Sequence, residues 1–349
     1  MPIYVGKTAL EIYKCLENRL SYIPDPIEAE KHKNIIKRIK TINTFKPLQQ
    51  IKIGEITITP LFIDHSAFDA YMFIVEADGK RVLHTGDFRG HSFRSKTLVP
   101  VLQKYAQGID YIISEGSNIQ RPNAVLQTEQ ELQKDFEAKF RKNKYNFALV
   151  ATTNIDRIFS LYHAAKSAKR CFVCDDYQTK IFNIVSNLHK QYTTFYDIDY
   201  KQKANPAGRF FDLKSINNRA YMFIGKLKPY LDKHGFCMLI RANSKFKLIL
   251  DEYSKSDETK IYYSMWNGYL DKSKPAFNPQ LSTFIEAFKY EYKHTSGHAD
   301  VKTLNLLFDT VKPKCGIIPI HTETPERFKD LFTRHNIILL RDAYVFDCI

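Results

Sequence analysis

Four short clusters, each placed where an expected strand ends, restrict the fold more than any other feature of the chain. They are Asp64-His65-Ser66-Ala67, His84-Thr85-Gly86-Asp87-Phe88-Arg89, Ser296-Gly297-His298-Ala299-Asp300 and Pro319-Ile320-His321-Thr322-Glu323. A histidine or carboxylate at the end of a buried strand stands at the rim of a sheet, where ligands for a hard or borderline divalent cation are commonly held. Residues this far apart in the chain meet only if one sheet gathers the strand ends. Each cluster alone has a plainer explanation. His65 can be a satisfied structural histidine, Asp87 a turn cap, His298 part of a helix start, and His321 the end of a strand whose Pro319 marks a sheet terminus. Together, beside glycine and serine, they are difficult to explain as packing. A carboxylate that bridges two cations between imidazoles activates water for attack on a phosphodiester. His84 and His91 flank Asp87 and are read as structural or supporting. No His-x-His-x-Asp-His occurs in the 349 residues.

With 349 residues and 44% hydrophobic content, the chain can bury the core of one large domain or two ordinary ones. No apolar run approaches the ~18 residues of a membrane-spanning helix. The start, Met1-Pro2-Ile3-Tyr4-Val5-Gly6-Lys7, has no leader pattern. The six cysteines are scattered, which suits reduced thiols and a cytoplasmic location. Cys171-Phe172-Val173-Cys174 lies in an expected strand, and no second pair completes a zinc site, so it reads as packing. The balance of 52 Lys+Arg against 38 Asp+Glu, a net charge of +14, favours polyanionic partners bound in a salt-dependent way. The lysines are spread along the chain, which a merely well-solvated surface also explains.

Along the chain, Ile3-Tyr4-Val5 reads as a strand end. It is followed by a helix with Ala9, Leu10, Tyr13, Leu16 and Leu20 on one face, and by a basic helix over 28–40. Ile51 to Phe62 reads as strands turning at Gly54-Glu55. Tyr71–Glu76 and Arg81–His84 form a hairpin across Asp78-Gly79. Tyr111–Ser114 runs as a strand into Glu115. Thr128-Glu129-Gln130-Glu131 opens a helix as a capping box. Alternating strands and helices follow: Phe147–Ala151, 155–168, Cys171–Cys174 and 177–190, a parallel α/β pattern. The segment 200–235 is less regular. Cys237–Arg241, Phe246–Leu250 and Ile261–Ser264 are expected strands. The α/β pattern resumes with a helix over 300–310, strand Cys315–Ile320, a helix over 325–334, and strands Ile337–Leu340 and Tyr344–Asp347. The expected organisation is a discontinuous first domain, 1–127 and 290–349, interrupted by an inserted α/β domain over 128–289.

At these residues the chain resembles the metallo-β-lactamase superfamily, and within it the β-CASP nucleases such as ribonuclease J and the RNA 3′-end-processing endonucleases. The resemblance runs over nearly the whole chain. Asp64-His65-Ser66, with Asp69 three residues on, is similar to the family's third motif, and Thr85-Gly86-Asp87-Phe88 to its fourth. Ser114-Glu115-Gly116-Ser117, Ser296-Gly297-His298-Ala299 and Pro319-Ile320-His321-Thr322-Glu323 are similar to the three β-CASP motifs. Thr153-Asn154-Ile155-Asp156-Arg157 resembles the family's Ser-Asn-Ile segment near the substrate phosphate.

The resemblance implies an αββα sandwich with an inserted β-CASP-like α/β domain. It implies zinc as cofactor, with His65 on a first metal, Asp87 bridging and His321 on a second. Glu115 and His298 would be catalytic, and Ser296, Gly297 and Asn154 would bind a substrate phosphate. The partner implied is nucleic acid, RNA before DNA.

The chain departs from the family pattern where the His-x-His-x-Asp-His motif and the acid before it would stand. The expectation is therefore an N-terminally incomplete or split chain. It would hold zinc weakly, be slow or inactive alone, and depend on a separate polypeptide carrying the missing segment. The family's His-Gly-Glu is His321-Thr322-Glu323 here. Ser264-Met265-Trp266-Asn267-Gly268-Tyr269 replaces a glycine-rich stretch, which changes the expected substrate. The competing expectation is a non-catalytic nucleic-acid-binding or scaffold protein that keeps the fold.

Overall fold

In the computed structural model, which describes residues 2–122, 126–189, 194–198, 210–212, 228–341, 343 and 345–347, the apolar runs resolve into three sheets. From the N-terminus, β1 (Tyr4–Gly6) leads through α1 (Lys7–Leu20) and α2 (Pro26–Ile39) to β2 (Asn43–Phe45). Then come β3 (Ile51–Ile53), β4 (Ile56–Phe62), β5 (Tyr71–Ala77), β6 (Lys80–His84), α3 (Leu98–Tyr105) and β7 (Tyr111–Glu115). The middle of the chain carries α4 (Glu129–Lys142), β8 (Tyr145–Leu149), α5 (Ile155–Ser167), β9 (Cys171–Cys174), α6 (Asp176–His189) and β10 (Phe210–Asp212). It continues with α7 (Lys228–His234), β11 (Phe236–Ile240), α8 (Ser244–Tyr253), β12 (Thr259–Tyr263), α9 (Pro279–Glu286) and β13 (Tyr290–Tyr292). The last elements are α10 (Val301–Val311), β14 (Gly316–Ile320) and α11 (Arg327–Leu331).

The chain is mixed α/β and divides into two units. The first comprises Met1–Glu17, Pro24–Gln127 and Ser296–Ile349. The second comprises Asn18–Ile23 and Thr128–Thr295. The second seam falls at 295/296, where the sequence placed it at 289/290.

In the first unit six strands run in the order β14-β7-β6-β5-β4-β3. β14, β7 and β6 are parallel, and β5, β4 and β3 follow antiparallel. Two antiparallel steps return β4 to the direction of β6. The C-terminal ends of β4, β6, β7 and β14 therefore share one rim. Period-two alternation sorts β5: Met72 and Ile74 enter the main core with Leu61, Leu83, Ile112 and Ile317. Leu102, Leu304, Phe308 and Phe328, from α3, α10 and α11, close that core. Tyr71 and Phe73 turn to the other face, where Phe45 of the two-stranded parallel sheet β1-β2 meets both rings edge-on at 4.8 and 5.9 Å. The face is anchored where Asp69 Oδ2 accepts from the Thr8 and Ala9 amides at 2.8 and 2.9 Å and so caps α1. Asp69 thus serves the fold.

In the second unit six parallel strands run β10-β9-β11-β8-β12-β13 with helices between them. β8, β9 and β11 are buried almost throughout and read as continuous apolar runs, as strands covered on both faces do. Thr128 and Glu131 make the capping box that begins α4.

Three expectations need correction. Phe246–Leu250 lies inside α8, capped by Asn243, because Phe246, Ile249 and Leu250 share a buried helical face that a short apolar run does not distinguish from a strand. Ile337 makes only an isolated bridge to Ile317, and the expected helix over 325–334 shortens to α11. Val345–Asp347 form no strand, contrary to the expected strand Tyr344–Asp347, while Tyr344 itself and much of 200–235 fall outside the described residues. Among the described residues, no helix is long and apolar enough to cross a membrane.

Candidate metal centre

The shared rim of β4, β6, β7 and β14 puts the sequence clusters side by side. β14 pairs with β7 so that Ile320 lies opposite Glu115, and His321 follows at once. β6 pairs with β7 so that His84 lies opposite Ile113, and the Thr85 amide extends the ladder to the Ile113 carbonyl at 2.9 Å. Asp87 then leaves the sheet through Gly86. A Cβ on Gly86 would sit 2.8 Å from the Tyr71 carbonyl, and its φ is +55°, so only glycine makes this turn without strain. His321 itself lies at φ +48°, a conformation uncommon for a side chain-bearing residue and frequent at functional sites.

Asp87, Glu115, His298 and His321 each offer a ligand atom, and these atoms all lie within 4.8 Å of one another. His321 Nδ1 and Asp87 Oδ1 are 2.8 Å apart at the open side of the group. Glu115 is buried and fully engaged. Its Oε1 accepts from the Phe88 and Ala299 amides at 2.9 and 3.4 Å, and its Oε2 meets His298 Nδ1 at 2.9 Å. Burial alone would push the His298 imidazolium to a lower pKa. The hydrogen bond and negative charge of Glu115 outweigh it and hold His298 above the usual histidine range. Ser117 Oγ stands 3.1 Å from His298 Nδ1 and 3.4 Å from His321 Nδ1, linking the two imidazoles.

His65 stands beside this group and outside it. Its ring centroid is 5.5 Å from that of His298, which is in turn 5.4 Å from His321. His65 Nδ1 lies 2.7 Å from the Gly297 carbonyl. A carbonyl only accepts, so Nδ1 carries the proton. Burial first, and then the positive charge of His298, lower the His65 pKa, so the ring is neutral and Nε2 keeps a lone pair. The sequence expected His65 to converge with Asp87 and His321. The tight group joins Asp87 and His321 to Glu115 and His298, and His65 flanks it.

The Ser296–Ala299 loop is held from several directions. The Ser296 carbonyl accepts from His91 Nε2 at 2.8 Å and from Arg89 at 3.4 Å. Asn118 Nδ2 donates to Ser296 Oγ at 2.9 Å, to the His298 carbonyl at 3.0 Å and to the Ala299 carbonyl at 3.2 Å. Buried Arg89 also faces Asp64, which accepts from the Ser92 amide. Ser296 is thereby committed to Asn118 and to the His298 amide at 3.1 Å. His84 Nδ1 accepts from the Gly86 amide at 3.0 Å and supports the turn before Asp87. Asn154 belongs to the second unit, where its side chain caps α5 by accepting from the Arg157 amide at 3.2 Å.

Arg89 and Ser117 stood in the quoted clusters without a role of their own, and Asn118 was not singled out at all. Ser117 and Asn118 follow Glu115 as ordinary small polar residues, and their partners lie some 180 positions away. The one available signal was their place immediately after a strand-end acid.

Two imidazoles with two carboxylates form a donor set suited to a divalent cation of borderline character. Because both Glu115 oxygens already accept hydrogen bonds and His298 Nδ1 is paired with one of them, Asp87 and His321 are the groups best able to bind it.

No family model and no curated protein matches the chain. Among solved structures it is similar to the crystal structure of a protein of unknown function from Enterococcus faecalis V583, at 16% identity and a TM-score of 0.64, over 98% of this chain and 74% of that one. At that identity the likeness shows the fold alone.

Proposed function

We propose that the chain is a metal-dependent phosphodiester hydrolase of the metallo-β-lactamase/β-CASP kind, acting on nucleic acid. One observation carries the reading: the ligand atoms of Asp87, Glu115, His298 and His321, brought from four parts of the sequence, lie within 4.8 Å of one another on one sheet rim. Two features support the αββα assignment. Helices cover one face of the six-stranded sheet while β1-β2 lies on the other, and a second α/β unit interrupts the first between β7 and β14.

Zinc suits the donors. Asp87 and His321 would hold it. A bound cation of this type lowers the pKa of its water and offsets charge on the phosphate. The protein's own residues supply the rest. Glu115 fixes the His298 ring through Nδ1 and keeps it protonated to higher pH than an ordinary histidine. His298 can then deliver a proton to the departing oxygen of the ester. Arg89, His91 and Asn118 keep the His298 loop in place.

A second reading, a non-catalytic binding or scaffold protein, draws on a different observation. His321 with Asp87, and His298 with Glu115, are already satisfied as hydrogen-bonded pairs without a cation. Hydrolysis of bis(p-nitrophenyl) phosphate separates the two. The catalytic reading expects slow, zinc-dependent turnover that Asp87→Ala or His321→Ala reduces by at least roughly 10- to 100-fold, the loss that removing a residue behind a metal ligand already causes. Turnover equal in the variants, or none with any divalent cation, supports the scaffold reading.

A further inference from the structure

We propose that Trp266 is a stacking platform for a base of single-stranded nucleic acid, an inference that rests on the reading that the substrate is nucleic acid and narrows it to an unpaired strand. Trp266 is the only tryptophan of the chain. It stands just beyond β12, at the C-terminal rim of the parallel sheet of the second unit, the side on which open parallel sheets present ligands. Tyr262 and Tyr263, at the end of β12, are buried, whereas Trp266 is 45% exposed.

The ring is held in place. Its backbone carbonyl accepts from Tyr263 Oη at 3.0 Å, and Tyr269 meets the indole edge-on at 5.5 Å. Gly268 passes so close beneath the ring that a Cβ there would lie 2.4 Å from its Cζ2 and Cη2 atoms. One side of the indole is therefore fixed against bare backbone while nearly half the residue stays open to solvent. On the neighbouring strand end, Tyr292 is also 45% exposed, and its ring stacks on Tyr263 with centroids 6.0 Å apart.

The surroundings decide between occupants. Docking an apolar protein surface needs a contiguous apolar patch. Beyond Trp266 the half-buried Tyr269 and Leu270 pack onto the core, and the exposed run Asp271, Lys272, Ser273 and Lys274 is polar, with Pro275 and Ala276 following it. Stacking a base needs one accessible ring face and nearby cations for the phosphates. Lys272 and Lys274 supply local charge, and the chain carries a net +14. Stacking tolerates any base, and a duplex hides its base faces, so the occupant is a single strand of RNA or DNA.

Because Trp266 is the sole tryptophan, its emission reports on this site alone. The full chain would be titrated with oligoadenylate, with oligodeoxyadenylate, and with a blunt duplex of equal length. Both single strands should quench the emission and the duplex should not; any difference between the two single strands tells RNA from DNA. Trp266→Ala should weaken single-strand binding by about 5- to 150-fold, the range measured for loss of one base–aromatic stack. Gly268→Ala should weaken it too, by displacing the ring, while Leu248→Ala, at another exposed apolar residue, should leave it unchanged.

Single-strand binding with Trp266 emission unmoved, or with equal affinity in Trp266→Ala, would overturn the inference. So would equal quenching by an apolar peptide. Hydrolysis of bis(p-nitrophenyl) phosphate by the unaltered chain tests the underlying reading separately, since that diester has no base to stack. Turnover without any single-strand binding sinks the platform alone. Trp266-dependent strand binding without turnover sinks the catalytic reading alone.

Discussion

At His298 two opposed influences meet on one ring. Burial disfavours its charge, and the Glu115 carboxylate, 2.9 Å away, restores it. A ring so placed keeps its proton to higher pH than an ordinary histidine, which suits the proton donor of the proposed reaction. His298→Ala is therefore expected to lower cleavage by roughly 10²- to 10⁴-fold, the usual range for a lost general acid, and to leave most of the affinity for a single strand intact. Single-turnover cleavage and equilibrium binding of the same oligonucleotide measure the two effects. An undiminished cleavage rate would return His298 to the role of a residue at a helix start. Of this group the sequence disclosed the strand-end residues, because their motifs are local. It did not disclose what holds them: the Gly297 carbonyl that fixes the tautomer of His65 lies 232 positions away, and Asn118 reaches His298 across 180.

Helix α5 shows how one element ties a unit together and exposes it to acid. Its Arg157 is fully buried and grips Glu129 of α4 with two bonds, Nε to Oε2 at 3.1 Å and Nη2 to Oε1 at 2.9 Å, while Nη1 reaches the Lys293 carbonyl at 3.2 Å. Removing one partner strands the other charge in the core. Arg157→Met should cost about 3–5 kcal/mol in urea unfolding, and adding Glu129→Leu should recover most of it. A double variant no more stable than the single one would contradict this account.

Two turns further along α5, His163 Nε2 donates to the Phe195 carbonyl at 2.7 Å. Burial, chiefly, lowers its pKa from the ordinary 6.5. The unfolded chain then binds the proton more readily than the folded one, so this contribution is present above pH ~6.5 and is lost as pH falls below it. The urea midpoint should drop between pH 7 and pH 5.5, and His163→Gln should flatten that slope. An unchanged slope would remove His163 from the acid response. Element type was legible wherever a run carried one clear period, as in the β5–β6 hairpin and the capping box of α4. It failed at Phe246–Leu250, where five residues fit either period and the buried face of α8 decided.

For the whole molecule, the central claim is topological. A chain that leaves its first sheet at Glu115, builds a second unit, and returns at Ser296 still closes one ligand group from both segments. The strand-end histidines and acids made the gathering of that rim predictable; the order of strands that places β14 against β7 was settled by pairing that no local pattern records. The most direct measurement is the anomalous scattering of zinc in crystals of the full chain soaked with zinc. The account predicts a peak bonded to Asp87 and His321 at about 2.0–2.2 Å, the distances of zinc to carboxylate oxygen and imidazole nitrogen, with His298 or His65 beside it. No peak at that rim, or zinc bound at other residues while Asp87 and His321 keep their mutual hydrogen bond, would contradict it.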